Sequence, residues 1–201
     1  MAEQLELDKG DNLIFLIDVS ASMQKSDTPT GKSRIDYCKE KAIALADEAA
    51  KFDEDGVDII TFGEKVKHIG KATGTNASDL IGPLKALEGS TDTAGAIQEA
   101  YSIHKKNKHA QTFCFLVTDG APNSKDAVRD VIRSIAAEIK DEHEFAIGFL
   151  IVGDPTKRDP ALVEFLSEID DTLKAKHDIV DVKELTDVEN LIQVAAAALH
   201  D

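Results

Sequence analysis

Two continuous apolar runs, each followed by an aspartate, constrain the fold of this chain most strongly. Residues 13–17 read LIFLI and stop at Asp18, and residues 113–117 read FCFLV and lead through Thr118 to Asp119. Such uninterrupted runs are typical of strands buried on both faces, as in the parallel sheets of α/β proteins. Because ligands of these sheets bind beyond the carboxyl ends of the strands, we expect both aspartates at the ligand-binding edge.

Strand and helix patterns alternate along the rest of the chain. The predicted strands cover residues 13–17, 56–63, 66–69, 112–117, 145–152 and 179–182. The predicted helices cover residues 33–52, 77–87, 93–106, 125–141 (capped by Asn123 or Ser124), 159–174 and 186–200 (with a capping box of Thr186 and Glu189). This alternation predicts a doubly wound, Rossmann-like, mostly parallel six-stranded sheet with helices on both faces. The segment 66–69 is expected to be its one antiparallel edge strand.

Length and charge limit the classes of partner. The 201 residues predict one domain over 12–201 after an N-terminal extension, 1–11. A net charge of −15 repels phosphate backbones and anionic lipid headgroups, which argues against nucleic acid and membrane partners. The first six residues lack a basic and apolar leader pattern, so we expect a cytoplasmic protein. Cys38 and Cys114 fall in apolar patterns and are expected to be buried thiols.

One carboxylate and two hydroxyls occupy alternate positions directly after the first apolar run. These are Asp18, Ser20 and Ser22, which would share one face if the segment is extended. Oxygen ligands without His or Cys suit Mg²⁺, Mn²⁺ or Ca²⁺ rather than zinc. Asp119 could supply a fourth ligand and Thr91 a fifth. The alternative is that the serines cap the loop and that Thr91 caps the helix beginning near residue 93.

These segments together resemble the von Willebrand factor type A (vWA) domain. The metal-ion-dependent adhesion site of that family combines D-x-S-x-S after the first strand, a threonine after a glycine-containing loop, and an aspartate after the fourth strand. Asp18, Ser20 and Ser22 match the first piece, Thr91 in GSTDT matches the second, and Asp119 in LVTDG matches the third. The resemblance implies an intact adhesion site in a single vWA domain over 12–201. Its later part is similar to free-standing bacterial members.

The resemblance also implies a function. The bound divalent ion, Mg²⁺ or else Mn²⁺ or Ca²⁺, would keep one position open for a Glu or Asp of a partner protein. The chain is then expected to be a metal-dependent protein-interaction module and not an enzyme. Free-standing bacterial members are associated with AAA-type ATPases or stress-response complexes, which are therefore the expected classes of partner.

Two other functions stay open at this point. A Mg²⁺-dependent nucleotide-binding or hydrolysing enzyme is suggested by TGKS at residues 30–33, which resembles the end of a phosphate-binding loop. That motif also needs a glycine where Ser26 stands, so we expect Ser33 to be a helix cap and Lys32 to be solvated. A purely structural module with an unused site is the third possibility. All six histidines are expected on the surface, away from the site.

Overall fold

Six strands of the chain form one sheet. A computed structural model describes residues 10–51, 55–87, 89–107, 111–187 and 190–200. The strands are β1 (Asn12–Asp18), β2 (Val57–Phe62), β3 (Lys67–Ala72), β4 (Thr112–Thr118), β5 (Phe145–Ile151) and β6 (Val180–Glu184). Their order is β3-β2-β1-β4-β5-β6. The strands β2 and β3 pair antiparallel, whereas the other neighbours pair parallel.

The strand order reverses at the centre of the sheet, between β1 and β4. All residues of both strands are buried, and Ile17 of β1 pairs with Val117 of β4. The predicted doubly wound, Rossmann-like sheet with an antiparallel edge strand is confirmed. Residues that follow β1 and β4 lie at the same carboxyl edge, next to the switch point where such sheets bind ligands. The predicted extension over residues 1–11 lies outside the described residues, apart from 10 and 11.

Helices cover both faces of the sheet. They are α1 (Arg34–Ala49), α2 (Ala77–Ile81), α3 (Thr93–Asn107), α4 (Lys125–Glu138), α5 (Pro160–Ser167) and α6 (Leu191–His200). Phe15 and its neighbours on one face pack with α1, α2 and α6, while Leu16 and its neighbours pack with α3, α4 and α5. This two-sided burial explains why β1 is apolar at every position from 13 to 17. Within the described part of the chain, no helix is long and apolar enough to cross a membrane.

The helix predicted over 77–87 is wrong beyond its first turn. The helix α2 ends at Ile81, because Gly82 is a poor helix former and Pro83 cannot donate a backbone hydrogen bond. The chain then continues without regular structure to Leu87, whose backbone N–H donates to the carbonyl of Val19 at 2.6 Å. This segment, 82–87, therefore forms a wall beside the loop that follows β1.

Helix starts follow local capping chemistry. Ser33 accepts from the backbone N–H of Asp36 at 3.2 Å and begins α1, as predicted, although α1 ends at Ala49 and residue 52 lies outside the described ranges. Ser124, and not Asn123, caps α4 by accepting from the N–H of Ala127 at 3.1 Å. The helix α4 also ends three residues earlier than predicted, because the backbone at Ile139 becomes extended.

The two helices nearest the end of the chain also differ from prediction. The expected helix over 159–174 changes at Ser167 into a π-helical turn, Glu168–Thr172. The C-terminal helix begins at Leu191, where Asn190 Oδ1 accepts from the N–H of Gln193 at 3.3 Å. The capping box predicted for Thr186 is therefore wrong, and Glu189 lies outside the described residues.

The amino edge of the sheet brings distant parts of the chain together. The N–H of Asn12, at the start of β1, donates to the carbonyl of Gln111 at 3.0 Å. The side-chain amide of Gln111 donates to the carbonyl of Leu199, near the end of α6, also at 3.0 Å. Cys38 and Cys114 are free and buried in the two cores, as predicted.

Candidate metal centre

Four of the five predicted ligand residues form a connected polar cluster at the carboxyl edge. The backbone N–H of Ser20 donates to Asp18 Oδ1 at 2.8 Å, and the hydroxyls of Ser20 and Ser22 lie 3.1 Å apart. Ser22 Oγ donates to Asp119 Oδ1 at 2.7 Å. The expected extended segment is wrong for Ser22, which lies in a 3-10 turn, Ala21–Gln24. That turn, rather than strand alternation, brings the second hydroxyl to Asp119.

Asp18 is the most deeply buried member of the cluster. It is fully buried, and its Oδ2 accepts from the hydroxyl of Thr118 at 2.6 Å. Burial raises the pKa of Asp18 from 3.8 to about 6, although the hydrogen bonds from Thr118 and Ser20 lower it. The negative charge of Asp119 contributes to the increase. A bound cation would offset both the cost of burying the charge of Asp18 and its repulsion from Asp119.

Thr91 lies at the same edge, positioned by its backbone. Its N–H donates to Asn123 Oδ1 at 2.6 Å, and the N–H of Asn123 donates to the carbonyl of Thr91 at 2.9 Å. Thr91 is thereby tied to the loop that follows Asp119. Asp92, and not Thr91, caps α3 by accepting from the N–H of Gly95 at 3.0 Å. The alternative of Thr91 as a helix cap is therefore wrong.

A buried arginine contacts the cluster and was missed by the sequence interpretation. Arg34, the first residue of α1, hydrogen-bonds to Asp119 Oδ2 and pairs with Asp27 through two contacts of 2.6 Å. Burial disfavours the charged guanidinium of Arg34 and so lowers its pKa. The hydrogen bonds and charges of Asp27 and Asp119 outweigh this effect, so the pKa of Arg34 is raised. The same arginine lowers the pKa of Asp27 by hydrogen bonding. One carboxylate of the cluster thus already has a positive partner.

The missed residues differ in what the sequence could have revealed. Ser124 caps α4, and the side chain of the preceding Asn123 is therefore free to accept from the N–H of Thr91. Arg34 is 85 positions away from Asp119, and no local pattern links the two.

The donor chemistry of the cluster fits a hard divalent cation. The described residues contain no group of three or more His, Cys, Asp or Glu side chains arranged to hold a metal. The cluster instead offers two carboxylates, Asp18 and Asp119, with the hydroxyls of Ser20 and Ser22. Oxygen donors of this kind suit Mg²⁺, Mn²⁺ or Ca²⁺.

The TGKS segment lacks the arrangement of a phosphate-binding loop. The N–H of Gly31, which such a loop would present to phosphate, donates to the carbonyl of Thr28 at 2.9 Å. Ser33 is the cap of α1, and Lys32 is half-exposed and pairs with Glu40. The surface position expected for the histidines is wrong for His104, which is buried with its ring against Thr112. It lies beside the first residue of β4, at the edge opposite the cluster.

A family model decides the classification. The model of the von Willebrand factor type A domain matches residues 13–122, which include the ends of β1 and β4 and the Thr91 loop. The chain belongs to the von Willebrand factor type A family. No curated protein sequence matches this vWA domain.

Solved structures share its fold at low sequence identity. The SpRpn10 VWA domain is 14% identical with a TM-score of 0.60, and the match covers 92% of this chain and 93% of that one. A von Willebrand factor type A protein from Catenulispora acidiphila is 18% identical with a TM-score of 0.62, over 94% and 43% of the two chains. Manganese-loaded TRAP from Plasmodium vivax is 14% identical with a TM-score of 0.55, over 90% and 71%. At these identities the likeness establishes the fold of the vWA domain.

Proposed function

We propose that this vWA domain is a divalent-metal-dependent protein-interaction module. Asp18, Ser20, Ser22, Thr91 and Asp119 would hold one Mg²⁺, or alternatively Mn²⁺ or Ca²⁺. A partner protein would complete the site with a Glu or Asp side chain. The bound ion supplies a positive centre that attracts the partner's carboxylate. The observation that carries the proposal is the convergence of two carboxylates and two hydroxyls at the carboxyl edge, in hydrogen-bonded contacts of 2.7–3.1 Å.

The residues of the cluster have separable roles in this proposal. Asp18 and Asp119 supply negative charge, and Ser22 donates to Asp119 and so keeps the two strand ends together. The hydroxyls of Ser20, Ser22 and Thr91 are neutral, so a divalent ion held by two carboxylates still attracts an anionic oxygen. The manganese in the TRAP structure supports this reading, because that protein shares the fold.

We also propose that the module is not an enzyme. AAA-type ATPases and stress-response complexes are the proposed classes of partner, on the resemblance to free-standing bacterial members. The cytoplasmic location stays a prediction. The nucleotide-hydrolysing alternative is less well supported, because the N–H of Gly31 is engaged by Thr28. Calorimetry with Mg²⁺ and a non-hydrolysable ATP analogue checks it, and saturable binding of the analogue would favour the enzyme.

Titration calorimetry with MgCl₂ tests the metal site. Replacing a ligand should weaken metal binding by more than about tenfold, so Asp18→Asn and Thr91→Ala should both lose affinity. Thr75→Ala is the matched control, since Thr75 is exposed and outside the cluster. Equal Mg²⁺ affinity in the wild type and Asp18→Asn would contradict the proposed site. Partner capture from native lysate should then need Mg²⁺ and be lost with EDTA and in Thr91→Ala.

A further inference from the structure

A groove of about 550 Å³ lies directly beside the candidate metal centre. Its walls come from the loop after β1, the β2–β3 hairpin and the 82–87 wall. Ser20, a proposed metal ligand, lines the groove as well. An occupant of the groove would therefore lie next to the open side of the proposed site. We name it the hairpin groove.

The hairpin groove has an apolar lining that the core of the protein covers only in part. Leu87 is 60% exposed, and among the described residues only Val163 is another exposed large hydrophobic side chain. The exposure of Leu87 is fixed by the backbone, because its N–H is bonded to Val19. Ile69 and Leu84, which are partly buried against the core, extend the apolar surface. A large apolar side chain of a partner would be buried here.

Two side chains hold the 82–87 wall in place. Lys39 Nζ donates to the carbonyls of Gly82 and Leu84 at 3.1 and 3.0 Å, and Gln24 Nε2 donates to the carbonyl of Ala86 at 3.2 Å. The groove is thus built by tertiary contacts from α1 and from the turn that carries Ser22. A preformed surface loses less conformational entropy when it binds.

The charge around the hairpin groove is opposite to that of the whole chain. The chain carries −15, yet three lysines and one glutamate line the groove: Lys65, Lys67, Lys85 and Glu64. In the part of the chain that the structure describes, no ion pair involves these three lysines, whereas Lys32 and Lys157 are paired with acidic neighbours. Unpaired cations at the rim of an apolar groove favour an occupant that is both acidic and apolar.

We infer that the hairpin groove binds an extended acidic segment of a partner protein that carries a large apolar side chain. The apolar side chain contacts Leu87, and acidic residues beside it meet the lysines. This inference rests on the proposed function, since a further carboxylate of the same segment would reach the metal beside Ser20. The apolar lining favours a peptide over a nucleic acid or polyphosphate, which would leave Leu87 exposed.

Peptide selection with defined variants tests the inference. A phage-displayed library of random short peptides is selected on the wild-type protein in Mg²⁺, and the enriched peptides are synthesised. We expect sequences with several Asp or Glu residues around a Leu, Ile or Phe. Their affinity, measured by fluorescence anisotropy, should fall about tenfold in Leu87→Ser and again in Lys67→Glu/Lys85→Glu. Enrichment of basic peptides, of acidic peptides without apolar residues, or of none would overturn the inference.

Matched controls separate the groove from general effects. Val163→Ser makes the same kind of change at the other exposed apolar residue, and Lys140→Glu/Lys174→Glu makes the same charge change at exposed lysines outside the groove. Both controls should bind the peptides as the wild type does. The groove variants should keep their melting temperature and their Mg²⁺ binding, which excludes misfolding as the cause.

The outcomes distinguish the two proposals. Binding that is lost in EDTA and in Asp18→Asn but unchanged in the groove variants would overturn the groove and leave the metal-dependent function intact. Binding that is lost in the groove variants but equal in EDTA and in Asp18→Asn would overturn the metal bridge and leave the groove as the binding surface. Binding that needs both agrees with both proposals.

Discussion

At the scale of single residues, the candidate site places two acids in different surroundings. Asp18 is fully buried and is stabilised by hydrogen bonds from Thr118 and Ser20, and no positive side chain among the described residues pairs with it. Asp119 instead pairs with Arg34. In the metal-free protein, therefore, the ionised form of Asp18 destabilises the fold more than that of Asp119 does. A bound cation would reduce this destabilisation.

The first prediction is that Asp18→Asn stabilises the metal-free protein near neutral pH. The pKa of Asp18 is about 6 in the folded state and 3.8 without burial, so folding favours its protonated form. This contribution to stability is fully present below about pH 4 and is lost as the pH rises through about 6. Above that range, the variant should be more stable by about 2–3 kcal/mol, and equally stable near about pH 4.

Urea unfolding in EDTA across this pH range measures the effect. Asp130→Asn is the control, because the side chain of Asp130 is 77% exposed and its replacement should change little at any pH. If the Asp18→Asn variant is less stable than the wild type at about pH 8, the ionised form of Asp18 does not destabilise the fold and the prediction is wrong.

The second prediction concerns Arg34. Replacing it by Met leaves Asp119, with a side chain 1% exposed, and Asp27 without their cation. Loss of one partner from a buried ion pair costs about 3 kcal/mol, which should appear in urea unfolding. Arg129→Met is the control, since Arg129 pairs with the more exposed Asp126 and Glu168 and its loss should cost about 1 kcal/mol or less. Equal losses in the two variants would contradict the role of Arg34.

At the scale of elements, β1 and β4 lead to the two aspartates of the site, and the surrounding loops and turns hold their partners in position. The turn after β5 approaches the Arg34 guanidinium so closely that a side chain at Gly153 has no space. A Cβ there would lie 2.6 Å from Arg34 Nε, and the φ of Gly153 is +106°. Gly31, with a φ of +70°, has nothing within 4 Å of such a Cβ.

The third prediction compares these two glycines. Gly31→Ala should cost about 1 kcal/mol from its left-handed backbone alone. Gly153→Ala should cost at least about 2 kcal/mol, because the methyl group also displaces the Arg34 side chain. Thermal denaturation of both variants measures the difference. Similar melting temperatures would mean that the guanidinium can move away without loss.

The sequence predicts elements well where the pattern is local. The strands β1 and β4 are apparent because both of their faces are buried, and Ser33 is recognisable as a cap from Asp36 three residues later. The 77–87 helix is wrong because Gly82 and Pro83 outweigh the apolar spacing around them. All five proposed ligand residues are found at the carboxyl edge. The Arg34–Asp119 pair was not predictable, because only the tertiary fold brings those residues together.

At the scale of the whole molecule, a bound metal would add to the stability of the fold, because it would bind the folded chain and not the unfolded chain. The fourth prediction is that Mg²⁺ at about one hundred times its dissociation constant stabilises the protein by about 2.7 kcal/mol. For a chain of this size that corresponds to a rise of about 5–10 °C in Tm. Calorimetric scans in EDTA and in MgCl₂ measure it, with Asp18→Asn as the variant that should not respond. An unchanged wild-type Tm would contradict metal binding.

The hydrogen bonds of Gln111 to Asn12 and Leu199 have a practical consequence for the orientation of this molecule. Both of these positions lie at the amino edge of the sheet, whereas Asp18, Asp119 and the hairpin groove lie at the carboxyl edge. A fluorophore or tether coupled to an exposed side chain of the amino edge, such as Lys140 in the turn before β5, therefore lies on the side away from the site. On a sensor surface, attachment through that position would leave the candidate metal centre and the hairpin groove facing the solution.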